Sequence, residues 1–276
     1  MRARPTVKSD ELTNNERVVW SAALDAYSDH SRQVLTSDQT LIAINNALTM
    51  LDGDGPLPSR LSGIDAKTRQ ALASAAPIYR SHYWAAHREL NDRWIAALQP
   101  TLDAHGDAMV SSLEATYGVQ WPRERIIVDA CAEAGPTGGY TTDGPRGTAA
   151  HTVIEAANPE YQGDMAFEML FHEASHAEAI GGVLIAAINA AAFRLRLAAP
   201  RDLWHVVIFY TAGELARRAL GRSGDAHYLP YADRYKVYSR GWLTLRAAVE
   251  RNWQPYLNGK TTFEAALEAT VRDTAQ

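Results

Sequence analysis

Asp164-Met-Ala-Phe-Glu168-Met-Leu-Phe-His172-Glu173-Ala-Ser-His176-Ala-Glu178-Ala-Ile180 is the stretch on which the reading of this chain turns. Asp164 is suited to cap a helix, and Gly181-Gly182 to stop it, so the spacing predicts a helix over about 165–180. Four residues of α-helix turn through about 400°, so the imidazoles of His172 and His176 leave one face a turn apart and can grip a single metal ion. Glu173 lies about 100° around, near enough to reach water at that ion without being a ligand. This is the H-E-x-x-H pattern. Zinc takes neutral imidazoles, needs a third protein ligand, and keeps one position where the pKa of water falls to about 7.

Upstream of the motif, Arg125–Cys131 is β-branched, Gly138–Thr142 is bounded by turns and His151–Glu155 alternates, which predicts three short strands in a small sheet with hairpin-type pairing. Everything before about residue 117 reads as helix. Two helices are expected over 10–51, a breaker at Asp52–Pro58, then helices over 64–99 and 101–117 punctuated at Pro77 and Pro100. Downstream, helical patterns cover 183–197, 202–220, 232–253 and 262–271. The expected class is α+β, predominantly α-helical: an N-terminal helical region (1–117) and a unit at 118–276 holding the small twisted sheet, the motif helix and the C-terminal helices.

With that sheet and helix, the chain resembles the zincin metallopeptidases over about residues 120–225. The metzincin branch of that superfamily places Gly three and His six residues after the second motif histidine. Ala179 and Gly182 stand there, so the resemblance is to the gluzincin branch, which takes a glutamate from a downstream helix as third ligand. Glu214 is the only Glu between Glu178 and Glu250. The resemblance also implies a Tyr or His donor for the developing oxyanion, with His227, Tyr228, Tyr231 and Tyr235 at a suitable interval and Tyr231 the favoured one. It further implies that His151–Glu155 is an edge strand for an extended substrate. Thermolysin-like proteins carry an acidic residue four positions after that Glu; Arg218 stands here, leaving Asp225 or Asp233 to orient a ligand histidine.

Glu214 also has a physical argument of its own. Its helix is apolar on nearly every side, and a carboxylate there needs a partner, either a metal ion or Arg217 or Arg218. Glu168, one turn before His172, is an acceptor or surrogate ligand if it is not structural. His205 lies nine residues before Glu214, about 180° around the helix, so it should not share the metal. Tyr231, Tyr235, Tyr238 and Trp242 also form a helical stripe, which is the signature of core packing. Glu178 reads as a surface charge, and His82 and His87 as packed residues.

Composition narrows the function classes. The 276 residues are 46% hydrophobic and 21% charged, a globular balance, and 27 Lys+Arg against 32 Asp+Glu gives a net charge of −5. That sign disfavours nucleic acid and anionic membrane as partners. Cys131 is the single cysteine, which points to a reducing, cytoplasmic setting without disulfides. No signal peptide or lipidation pattern is expected at Met1–Asp10, and the apolar run 181–193 is short of a bilayer span and reads as a buried core helix. The reading is a zinc hydrolase of peptide or related amide or ester bonds: metal Zn2+, ligands His172, His176 and Glu214, general base Glu173. The alternative is a non-hydrolytic helical protein that binds a metal or small ligand at the same site. A di-iron carboxylate bundle would need a second E-x-x-H, which the chain lacks.

Overall fold

In the computed structural model, residues 12–28, 35–51, 63–135, 137–221 and 228–275 are described. The Met1–Asp10 stretch, the Asp52–Pro58 breaker and the candidates Asp225 and His227 lie outside them. Helices α1 (Asn14–Ser28), α2 (Gln39–Thr49), α3 (Ala66–Tyr79) and α4 (Ala85–Tyr117) precede strands β1 (Arg125–Cys131), β2 (Gly139–Thr142) and β3 (Thr148–Glu155). Helices α5 (Asp164–Ala174), α6 (Val183–Leu195), α7 (Leu203–Gly221), α8 (Tyr231–Arg234), α9 (Leu243–Leu257) and α10 (Phe263–Thr274) follow. The class is the expected one, predominantly helical α+β with a three-stranded sheet.

Two prolines do not act as stops. Pro77 sits inside α3 and Pro100 inside α4. Each removes one backbone donor, and in α4 the burial of Trp94, Leu98, Met109 and Leu113 along one side outweighs that loss. Shortly after Pro77 the backbone widens into a π-helical turn, Arg80–Trp84, which feeds directly into α4.

The strand order is β1-β3-β2, with β3 parallel to β1 and antiparallel to β2. Hairpin pairing therefore holds for β2 and β3 only. The reading of His151–Glu155 as an edge is overturned: β3 is the central strand and β2 is an edge. Ala150 to Ile154 are all buried, as a strand paired on both sides requires.

The motif helix is shorter than its sequence pattern. It ends at Ala174, and the chain passes through a turn and a π-helical segment, Glu178–Gly182, before α6 begins. The expected helix over 232–253 is also broken. Lys236 and Gly241 adopt left-handed φ of 54° and 112°, and α8, a 3-10 turn at Val237–Arg240 and α9 replace it. The segment Glu178–Leu195 is long and apolar enough to cross a membrane by length and composition alone, and a third of it is buried. It is thus not a buried core helix: α6 turns Leu184, Ile188, Ala191 and Ala192 inward and leaves Val183 and Phe193 outward.

One core joins these pieces. Leu113 and Tyr117 of α4, Phe167 and Phe171 of α5, Val206 and Ile208 of α7 and Trp253 of α9 belong to it. Every residue of α5 from Met165 to Ala174 is buried, pressed between the sheet, α4 and α7. The Trp94 indole donates to the Tyr161 carbonyl at 2.6 Å, tying α4 to the loop that launches α5.

Candidate metal centre

Because α5 stops at Ala174, His176 lies beyond the helix. Its position depends on a tightened turn: His176 N bonds to Glu173 O at 3.0 Å and Ala177 N to Ala174 O at 3.2 Å, both three-residue spans. Gly181 returns so close to this turn that a Cβ there would meet Ser175 O at 2.7 Å, which only glycine avoids. The result preserves the pairing expected of a regular helix. His172 Nε2 and His176 Nε2 are 3.3 Å apart.

The third imidazole comes from α7. His172, His176 and His205 each present one ring nitrogen such that all three lie within 4.8 Å of one another. The reading that kept His205 away from the metal is corrected: it is the His205 face of α7 that meets α5. Phe209, one turn on from His205, stacks on His172 with centroids 3.8 Å apart. Trp204 stacks on His205 at 5.1 Å, and Trp242 meets it edge-on at 5.3 Å.

Glu214 is accordingly a correction. Its carboxylate takes two hydrogen bonds from Arg217, at 3.0 and 2.6 Å, and stands outside the imidazole cluster. A local ion pair satisfied the charge, as the rival reading held. Arg218 donates instead to Leu257 O and Asn258 Oδ1. Asp233 pairs with Arg246 at 3.4 Å.

Glu173 is fully packed. Thr141 Oγ1 on β2 lies 2.8 Å from Glu173 O, 3.2 Å from its Oε2 and 2.9 Å from Thr152 Oγ1. Gly139 passes over the carboxylate, where a Cβ would sit 3.0 Å from Oε1. Burial pushes the Glu173 carboxyl up to about 8, opposed by the Thr141 hydroxyl. Burial, reinforced by its imidazole neighbours, holds His172 well below the usual range, and burial takes His176 to about 3 and His205 to about 4. All three are neutral at pH 7, the form that donates a lone pair to a metal.

The remaining candidates fall elsewhere. Glu168, wholly buried, accepts from Tyr228 Oη at 2.6 Å and from Tyr231 N at 3.0 and 2.9 Å, so it is structural. The Tyr231 hydroxyl donates to Glu160 at 3.1 Å, and its ring lies parallel to Phe209 at 6.4 Å. Tyr235 packs tilted against Tyr231 at 4.9 Å. Glu178 is exposed. His82 meets Glu16 at 3.0 Å and His87 meets Tyr79 at 3.1 Å, far along the N-terminal helices. His205 was readable as an aromatic-flanked histidine one turn from Phe209, but only the packing of α7 on α5 shows which face matters.

The donor set suits a borderline divalent ion. Two nitrogens on one tetrahedral zinc, with bonds of about 2.0 Å, lie roughly 3.3 Å apart, which matches the His172–His176 pair. His172 Nδ1 is buried without a hydrogen-bond partner among the described residues. Comparison of the chain with protein-family models, with curated proteins and with solved structures finds no match.

Proposed function

We propose that this chain is a zinc-dependent hydrolase of peptide or related amide and ester bonds, with His172, His176 and His205 as ligands and Glu173 as general base. The observation that carries the reading is the convergence of three neutral imidazoles, with the buried Glu173 next in sequence to one of them. The zincin resemblance supports it through the motif and the strand beside it, with His205 taking the third-ligand role that the resemblance gives to a downstream glutamate. Zinc bound there would supply Lewis acidity, lowering the pKa of water and polarising a carbonyl.

The chain's own groups do the rest. Glu173 Oε2, held by Thr141, receives a proton from water and returns it to the leaving amine. Its carboxyl sheds its own proton readily once a cation neighbours it. Phe209 fixes the His172 ring by stacking, and β2 walls off one side of the carboxylate from solvent. A cytoplasmic, reducing setting fits the lone Cys131.

The partnerless His172 Nδ1 favours a second reading. Catalytic zinc histidines are commonly oriented by a hydrogen bond from that nitrogen to a carboxylate or carbonyl, so the site would also suit a protein that binds metal without turnover. Elemental analysis and a panel of fluorogenic peptide, amide and ester substrates separate the two. The hydrolase reading expects about one zinc per chain and turnover abolished by chelation. Glu173→Gln should keep the zinc and lose at least roughly a hundredfold in rate. Zinc without turnover selects the second reading, and no zinc at all rejects both.

A further inference from the structure

Around the imidazole cluster, closed and open sides differ in chemistry. His172 and Glu173 are sealed by α5, by Gly139 and Thr141 of β2, and by Phe209 beneath. The side of the cluster that reaches solvent is made of half-buried residues: His176, His205, Trp204 and Trp242. Trp204 lies nearly parallel to His205, with 19° between the planes, and edge-on to His176 at 5.4 Å. Trp242 stands across His205 from a different part of the chain and tilts toward Phe209 at 6.3 Å. Its indole N–H already donates to Asp202 at 3.1 Å, so what Trp242 turns toward the cluster is carbon surface. Leu243, next in sequence, is 63% exposed.

A molecule that reaches His176 and His205 therefore slides across indole faces. We infer that Trp204 and Trp242 form a subsite for an aromatic or bulky apolar side chain adjacent to the bond cleaved, so that the substrates are peptides or amides bearing such a group. Flat rings recruit flat rings through offset-stacked and edge-on packing, and a large apolar residue gains most from covering half-exposed indoles. Asp202, a carboxylate bonded to this rim, offers the competing possibility of a cationic group over the indoles.

This inference rests on the hydrolase reading, but its test measures binding. Saturation-transfer NMR and titration calorimetry on the zinc-loaded and chelated protein would compare the N-acetyl amides of phenylalanine, leucine, alanine and lysine. The phenylalanine compound is expected to bind about tenfold tighter than the alanine one. Trp242→Ala and Trp204→Ala should each erase most of that difference, and Trp242→Phe should restore it, provided thermal melts show folded protein. Should Trp242→Ala fail to fold, the comparison falls to Trp204→Leu, which should weaken the phenylalanine preference, with Trp242→Phe as the control that keeps it. Equal affinity for all four amides, a preference untouched by these substitutions, or a preference for lysine overturns the subsite. A protein that shows the aromatic preference yet never turns over substrate loses the hydrolase reading and keeps this one. Cleavage that is indifferent to the flanking side chain does the reverse.

Discussion

Glu214 and His205 occupy one helix and answer opposite demands. Glu214 is 13% exposed at its side chain and clasped by Arg217, so its charge is balanced locally. A partly exposed pair three residues apart contributes well under about 1 kcal/mol. Glu214→Ala should leave metal content unchanged and lower stability only slightly, whereas His205→Ala should strip most of the zinc. Metal analysis after dialysis against a weak chelator reads both, and zinc loss in the Glu214 variant would restore it as a ligand. Gly139 makes a second point at this scale. Its Cα runs so near Glu173 that an added methyl must push the carboxylate aside by a few tenths of an ångström. Gly139→Ala should retain zinc and lower turnover by roughly ten- to a hundredfold, as small misplacements of a catalytic group do. Wild-type rates in that variant would show that Glu173 has room to spare.

Elements with a strong local pattern were legible. Arg125–Cys131 carried its β-branched run, α7 its long apolar stretch, and α10 its helical pattern over 262–271. What escaped were features decided across the chain. The parallel pairing of β1 with β3 leaves no mark in either strand. The end of α5 before His176 depends on Gly181 folding back onto Ser175, and the break at Lys236 places a non-glycine residue at positive φ. Within the site, His172, Glu173 and His176 were legible from spacing, and the third imidazole was not, because helix arithmetic relates residues to one another without saying which face a neighbour takes. Glu168 shows how α5 also anchors the short α8: burial pushes its carboxyl up to about 7, with the Asp233 and Glu214 charges adding, while Tyr228 and Tyr231 donors pull it down. Between about 4.5 and 7 the folded protein holds on Glu168 a proton that the unfolded chain has released, so the contribution of this carboxyl to stability falls as pH rises through that window. The fall should be on the order of 3 kcal/mol at most. Glu168→Gln, carrying no titratable proton, should flatten it, and chemical denaturation at pH 4.5, 6 and 7.5 for both proteins checks the difference. Parallel pH profiles would mean the carboxyl titrates normally.

At the scale of the whole molecule, helix α4 belongs to the same core as the helices that carry the imidazoles, so the N-terminal region buttresses the site through Leu113 and Tyr117. On the other side of the sheet, α2 reaches it by side-chain bonds: Asn45 Nδ2 to Tyr140 Oη at 2.7 Å, and Asn46 with His151 Nδ1 at 3.1 Å. The strand order carries a consequence for how the molecule comes into being. During synthesis β1 emerges first and finds no partner, since its neighbour in the sheet is β3 and β2 leaves the ribosome in between. The hairpin of β2 and β3 closes the shorter loop and should form ahead of the parallel pair. Gly139 and Thr141 would then be in place as a finished wall before the histidine-bearing helix arrives to lean on it. Pulse-labelling hydrogen exchange during refolding should find the β2–β3 amides protected earlier than those of β1; simultaneous protection would mean that the sheet assembles as one unit, with α5 as its template.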